Sequence, residues 1–162
     1  MTIRTATASD PDQITAIEQE CFPASEAASR RSFENRLAHY SDHFWVLCDE
    51  DKIIGFVNGM VSNQKDLKDE MYEDADMHEK DGKWQMIFGV DVLPSFRRKG
   101  YARQLLLFVI KEAEKQGRSG LVLTCKDRLV HYYAKFGFQD EGLSTSAHGG
   151  VSWHQMRLLF AS

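Results

Sequence analysis

The chain is short of several things, and each shortage closes off a class of protein. Its 162 residues hold three cysteines, Cys21, Cys48 and Cys125, an odd number with no C-x-x-C among them. That pattern argues against a disulfide framework and for reduced, buried thiols in a cytoplasmic protein. No apolar run approaches the roughly 18 residues of a membrane helix, and the opening MTIRTATASD has no apolar core of a signal peptide. Positive charge is also scarce. Twenty Lys and Arg against 24 Asp and Glu leave a net charge of −4, which argues against non-specific nucleic-acid binding. Neither G-x-G-x-x-G nor G-x-x-x-x-G-K-[ST] occurs, so the dinucleotide fingerprint and the P-loop are excluded. There is no internal repeat or low-complexity tract, and no metal is expected. What remains is an ordinary globular composition, 43% hydrophobic and 27% charged, long enough for one domain over residues 1–162 with a single sizeable core.

The most informative stretch runs from Met86 to Arg103, MIFGVDVLPSFRRKGYAR. Met86–Val92 is a nearly unbroken apolar run and reads as a strand buried on both faces. Pro94 stops it, because proline cannot donate to a central ladder. Three cations, Arg97, Arg98 and Lys99, then precede Gly100, and a helix opens at once. Ala102, Leu105, Leu106, Val109, Ile110 and Ala113 give it an apolar stripe, with Gly117 just past its end. A basic, glycine-bearing turn that opens a helix offers free N–H groups and the positive end of the helix dipole. This is an anion site suited to a polyphosphate, although an exposed basic turn capping a helix would read similarly.

Along the rest of the chain, Ile3–Thr7 suits a first strand, and Ser9-Asp10-Pro11 starts a helix striped by Ile14, Ile17 and Cys21. Phe22-Pro23 ends it. Residues 24–31 form a loop before a second helix carrying Phe33, Leu37 and Tyr40. Phe44–Cys48 and Lys52–Val61 read as a hairpin, in which Gly55 and Gly59 mark a bulge or the close approach of another group. Between Ser62 and Gly82 eight acidic residues face three lysines, with apolar positions at Leu67, Met71, Ala75 and Met77. That segment reads either as a solvated insertion or as an acidic lip that concentrates cationic amines. Leu121–Cys125 is a buried strand, and Asp127 can cap a helix holding Leu129, Val130, Tyr133 and Phe136 that Gly137 ends. Val151–Phe160 is the last strand.

Val92 to Ala102 spells V-x-P-x-x-R-x-x-G-x-A, which resembles the acetyl-CoA signature of the GNAT N-acetyltransferase superfamily. The element order agrees with that fold, an α/β (α+β) acyl-CoA N-acyltransferase architecture with a mixed twisted central sheet and helices on both faces. A second segment, LTCKDRLVHYYAKFGF from Leu123 to Phe138, resembles the C-terminal motif of arylalkylamine (serotonin-type) N-acetyltransferases. The resemblance covers residues 84–140 well and the N-terminal third in outline.

The resemblance implies an acetyl-CoA-dependent N-acetyltransferase that moves the acetyl group to a primary amine by direct attack in a ternary complex. Pantetheine would bond along Val90, Asp91 and Val92. Pyrophosphate would take N–H groups from Arg98, Lys99, Gly100, Tyr101, Ala102 and Arg103, with Arg97 and Lys135 as nearby cations. Val90 N–H would hold the oxyanion. Tyr133 would be the acid that protonates the departing thiolate, since a phenol is protonated at neutral pH; Tyr132 would face away. The family's H-x-H pair is replaced by Met86 and Phe88, so its histidine base is absent, and a water relay to solvent is expected instead. Glu26, Phe88, Thr124 and His148 are candidates for the acceptor pocket, and His131 belongs on another face. A small aryl- or polyamine-like amine is the expected acceptor. A CoA-binding module without catalysis and a protein or peptide N-acetyltransferase stay open, as does a homodimer.

Overall fold

The computed structural model describes residues 1–146 and 148–161. Two sheets share the chain. The first is antiparallel, in the order β1 (Thr2–Thr5), β2 (Phe44–Asp49), β3 (Lys52–Asn58), β6 (Gly89–Val92). The second runs β4 (Val61–Ser62), β5 (Trp84–Ile87), β7 (Gly120–Cys125), β9 (His154–Leu159), β8 (Gln139–Leu143), with β5 and β7 parallel. This is the mixed sheet expected for a GNAT fold.

Helices cover both faces of the first sheet. On one side α1 (Pro11–Cys21) and α2 (Arg30–Tyr40) bury Ile14, Ile17, Phe33 and Leu37 against Phe44, Val46 and Phe56. On the other, α4 (Tyr101–Lys115) lays Leu105, Leu106, Val109 and Ala113 onto Trp45, Val57, Leu121 and Leu123. The stripe read from the sequence is the one that packs. Two short helices complete the set: α3 (Asp69–Glu73), and α5 (Val130–Ala134), which follows a 3-10 turn over Asp127–Leu129.

The expected single strand Met86–Val92 is in fact two. Asn58 pairs Gly89 and Val61 pairs Gln85, so Gly59 and Met60 face three residues, Met86, Ile87 and Phe88. That is a β-bulge. Gly59 permits it, because a Cβ there would collide with the Met86 carbonyl. A one-residue offset passes the chain from the second sheet to the first. Beyond the Ile87–Leu123 pair, β6 stays with β3 and β7 stays with β9. A wedge opens between them.

Other expectations also shift. The hairpin's return strand ends at Asn58, and Val61–Ser62 joins the other sheet. The final strand begins at His154 rather than Val151, and β8 was not foreseen. Asp127 makes no side-chain cap. The acidic segment 62–82 is not a solvated insertion: Leu67, Met71 and Ala75 are buried with Tyr40, Met60, Met86 and Val122 in a third core cluster. Among the described residues no helix is long and apolar enough to cross a membrane.

Candidate active site

The wedge between β6 and β7 opens into a cavity of about 920 Å³. Leu93 N–H bonds Ile54 O, and the register places Asp91 and Gly89 opposite Phe56 and Asn58. In an antiparallel pair, bonded and non-bonded residues alternate. The backbone groups of Val90 and Val92 therefore point away from β3, along the open edge that faces the wedge. Val92 O is already taken by Arg97 Nε at 3.1 Å and by the Cys21 thiol at 3.3 Å. Val90 N–H and C=O and Val92 N–H remain for a ligand lying along the strand.

At one end of the cavity lies the basic turn. Arg98 and Gly100 both have positive φ, 63° and 82°, so successive N–H groups converge on one side of the turn. The first helical bond runs from Gln104 N to Gly100 O, and no described residue accepts the N–H groups of residues 98–103. Within the protein nothing lies within 4 Å of a Cβ added at Gly100. Its glycine is thus demanded by the left-handed backbone, and the space beside it is open. Arg97, Arg98, Tyr101, Ala102, Arg103 and Arg128 line this end.

Tyr133 stands in the wall between the two ends, and no described residue bonds its hydroxyl. Burial holds the phenol protonated well above its ordinary range. Tyr132, expected to face away, lines the cavity too. Its ring meets Tyr133 edge-on at 5.2 Å and Phe136 at 5.3 Å. In a five-residue helix entered from a 3-10 turn, ideal helical spacing is a poor guide to facing.

The other end is aromatic and acidic. Phe88, Thr124, Glu26 and His148, the four residues named for the acceptor pocket, all line it. Three segments are tied together over it. His148 Nε2 donates to the Glu26 carbonyl at 2.8 Å, while Lys126 pairs with the Glu26 carboxylate at 2.9 Å. Ser146 Oγ bonds Asp69 at 2.5 Å.

Tyr72, on α3, was not singled out from sequence. It bonds Thr124 Oγ1 at 3.0 Å, stacks on His148 and tilts against Phe88 with centroids 4.6 Å apart. Burial pushes its phenol up to about 12. Arg36 lies over the Phe88 ring at 4.9 Å and donates to Asn58 Oδ1 and Tyr72 O. Asp69, Glu70 and Glu73, from the acidic segment, border this end. Three expected site residues are elsewhere: Lys99, Lys135 and Asp91 do not line the cavity, and His131 is outside it as well. Asp91 is buried beneath it.

Residues 12–138 match the model of the acetyltransferase (GNAT) family. The chain belongs to the GNAT acetyltransferase family. It is 26% identical to the serotonin N-acetyltransferase of Mesocricetus auratus over 124 residues, covering 71% of this chain and 58% of that one. The chain thus spans little more than half the length of that curated relative. Among solved structures, the GphF GNAT-like decarboxylase in complex with isobutyryl-CoA superposes with a TM-score of 0.83 at 22% identity, over 98% of this chain and 99% of that one. The PaiA N-acetyltransferase of Thermoplasma acidophilum in complex with coenzyme A gives 0.72 at 15% identity, over 98% of each chain. The departure from the H-x-H pair has a structural counterpart. Met86 is a fully buried core side chain and Phe88 an aromatic wall, so neither position can supply a base.

Among the described residues no cluster of His, Cys, Asp and Glu could hold a metal. The residues present fit acetyl-CoA instead: free N–H groups beside cations for the pyrophosphate, an open strand edge for the pantetheine amides, and a phenol past that edge.

Proposed function

We propose that this protein transfers the acetyl group of acetyl-CoA to a primary amine by direct attack within a ternary complex. The observation that carries the reading is the run of unpartnered N–H groups at residues 98–103, which opens into the same cavity as the free edge of Val90 and the hydroxyl of Tyr133. Pyrophosphate binds that turn, and pantetheine lies along Val90–Val92. The thioester carbonyl bonds Val90 N–H, which stabilises the oxyanion. The amine attacks from the aromatic end, and Tyr133 protonates the sulfur as the C–S bond breaks.

The acceptor is a small cationic amine with an apolar or aromatic body. Phe22, Tyr72, Phe88, His148 and Trp153 supply the apolar wall, and the acidic lip supplies the field. The ties that join α3, the loop after α1 and the loop before β9 roof this end, which favours a small molecule over an extended peptide.

The test is release of free CoA thiol from acetyl-CoA with a panel of amines and peptide N-termini. An arm with a 2-carboxyacyl-CoA and no amine, read for CO2, covers the chemistry of the decarboxylase likeness. Turnover with aryl- or alkylamines supports the proposal. Turnover of peptides alone, CO2 release alone, or tight CoA binding with no release under any arm overturns it.

A further inference from the structure

One fully buried side chain in the second sheet is polar where its strand calls for an apolar one. Gln85, on β5, is 0% exposed and pairs with Val61 on one side and Leu121 on the other. A buried amide costs free energy unless its donors and its acceptor are met. Here they are met at the bulge. Gln85 Nε2 donates to Gly59 O at 2.9 Å and to Met86 O at 2.8 Å, with Met60 O at 3.4 Å. Gly59 O and Met86 O lie on opposite sides of the bulge, and among the described residues no backbone N–H reaches Gly59 O. The Gln85 amide thus takes the place of a ladder bond that the one-residue offset removes.

Three carbonyls around one end fix which way the amide points, since turned over its oxygen would face three oxygens. Oε1 therefore faces His43, whose Nδ1 donates to it at 3.0 Å. His43 is 3% exposed, and burial lowers its ring below the usual imidazole range. The same residue holds Gly59 from the other side, because His43 O accepts Gly59 N–H at 3.3 Å. Its ring meets Trp45 of β2 edge-on, with centroids 5.9 Å apart. A chain of bonds therefore runs from the 3-10 turn Ser41–His43 through Gln85 to both sides of the bulge. Met86 N–H to Met60 O and Phe88 N–H to Asn58 O, both at 2.8 Å, close the ladder around it. The next residues along are Gly89 and Val90, where β6 leaves β7 and the wedge begins.

We infer that Gln85, oriented by His43, is a positioning residue that holds the bulge and so keeps the edge of Val90 and Val92 turned towards the cavity. The inference rests on the acetyltransferase reading and deepens it. Gln85 does not line the cavity, so it touches neither substrate and acts through the backbone. With the amide in place, the free groups of Val90 and Val92 stay aimed away from β3. Without it, buried carbonyls at the bulge lose their donor, and the strand relieves them by slipping register or flattening. Either movement turns Val90 N–H away from the thioester carbonyl.

The test is isothermal titration with two ligands, CoA and 3′-phospho-ADP, which keeps the pyrophosphate of CoA and lacks the pantetheine arm. The ratio of their affinities reads the strand edge apart from the basic turn. Gln85→Met keeps the length of the side chain and removes the donors. It lowers the affinity for CoA by about 2- to 12-fold for each strand-edge bond lost and leaves that for 3′-phospho-ADP unchanged. It lowers kcat by about 10²-fold, as a misplacement of about 1 Å at a reacting centre does. If Gln85→Met does not fold by circular dichroism, His43→Phe decides: a ring stays, the donor to Oε1 goes, and the same ratio falls. An unchanged ratio in the folded variant, or an equal loss for both ligands, marks Gln85 as structural alone and overturns the inference. A wild type that binds the two ligands alike overturns the strand-edge reading together with the inference. A wild type that prefers CoA but acetylates no amine overturns the transfer reading, while the affinity ratio still decides the role of Gln85.

Discussion

Gly100 and Gly117 flank the same helix and have nearly the same backbone, φ +82° and +79°, and at neither does a new Cβ meet anything within 4 Å. Replacing either by alanine should therefore destabilise the fold through conformation alone, by about 1–2 kcal/mol for an L-residue forced into the left-handed region. For a domain of this length that lowers Tm by about 2–8 °C. The two differ in one respect: Gly100 lines the cavity and Gly117 does not. At Gly100 the added methyl occupies the space from which a pyrophosphate approaches the N–H groups of residues 98–103. Losing one such charge-assisted bond costs about 1.5–3 kcal/mol, or about 10- to 150-fold in affinity for CoA. Isothermal titration with CoA, beside thermal melts of both variants, separates the effects. The reasoning requires matched melting shifts with affinity lost only in Gly100→Ala. Wild-type affinity in a folded Gly100→Ala, or an equal loss in Gly117→Ala, would remove the turn as the phosphate site.

Tyr133→Phe should keep acetyl-CoA binding and lower kcat by about 10²–10⁴-fold, with a smaller loss for thioesters of more acidic thiols; near-normal kcat under chemistry-limited conditions would mean that the sulfur takes its proton from solvent. Tyr72→Phe removes the bond to Thr124 Oγ1 at 3.0 Å, a neutral pair worth about 0.5–1.5 kcal/mol, so KM for the acceptor should rise by about 2- to 12-fold while KM for acetyl-CoA stays put. The histidine pair behind α3 should make the fold acid-sensitive. Burial lowers His78 from 6.5 to about 4, and His43, 5.3 Å away ring to ring, is lowered by burial as well. Because the unfolded chain binds these protons first, stability is complete above about pH 6.5 and falls as pH drops towards about 4. Discounted for partial exposure, His78 accounts for about 1–2 kcal/mol, and thermal melts should show that drop flattened in His78→Gln.

Elements set by local periodicity were legible in the sequence. The stripe on α4, the turn before it and the strand at Leu121–Cys125 follow from spacing and from one glycine. What escaped was set by pairing at a distance. The bulge at Met86–Phe88 depends on how Gly59 and Met60 count against three residues across the ladder, and no window of sequence shows that count. Tyr72 was hidden by its charged neighbours: in a segment with eight acids, one helical turn buries Met71 and turns Tyr72 into the cavity.

A net charge of −4 describes the molecule as a whole and conceals the field within its cavity. Arg97, Arg98, Arg103 and Arg128 border one end, while Glu18, Glu26, Asp69, Glu70 and Glu73 border the other. The two cations at the acidic end are already engaged, Lys126 with the Glu26 carboxylate, Arg36 with Asn58 and the Tyr72 carbonyl. The acidic end is thus left able to attract an ammonium group, and the basic end an anionic nucleotide. Such a separation lets both substrates reside at once without crossing each other's path, which is the electrostatic condition for direct transfer. It also sets a condition on the proposed transfer. The field that draws in an ammonium ion stabilises its charged form, and so opposes the deprotonation on which attack depends.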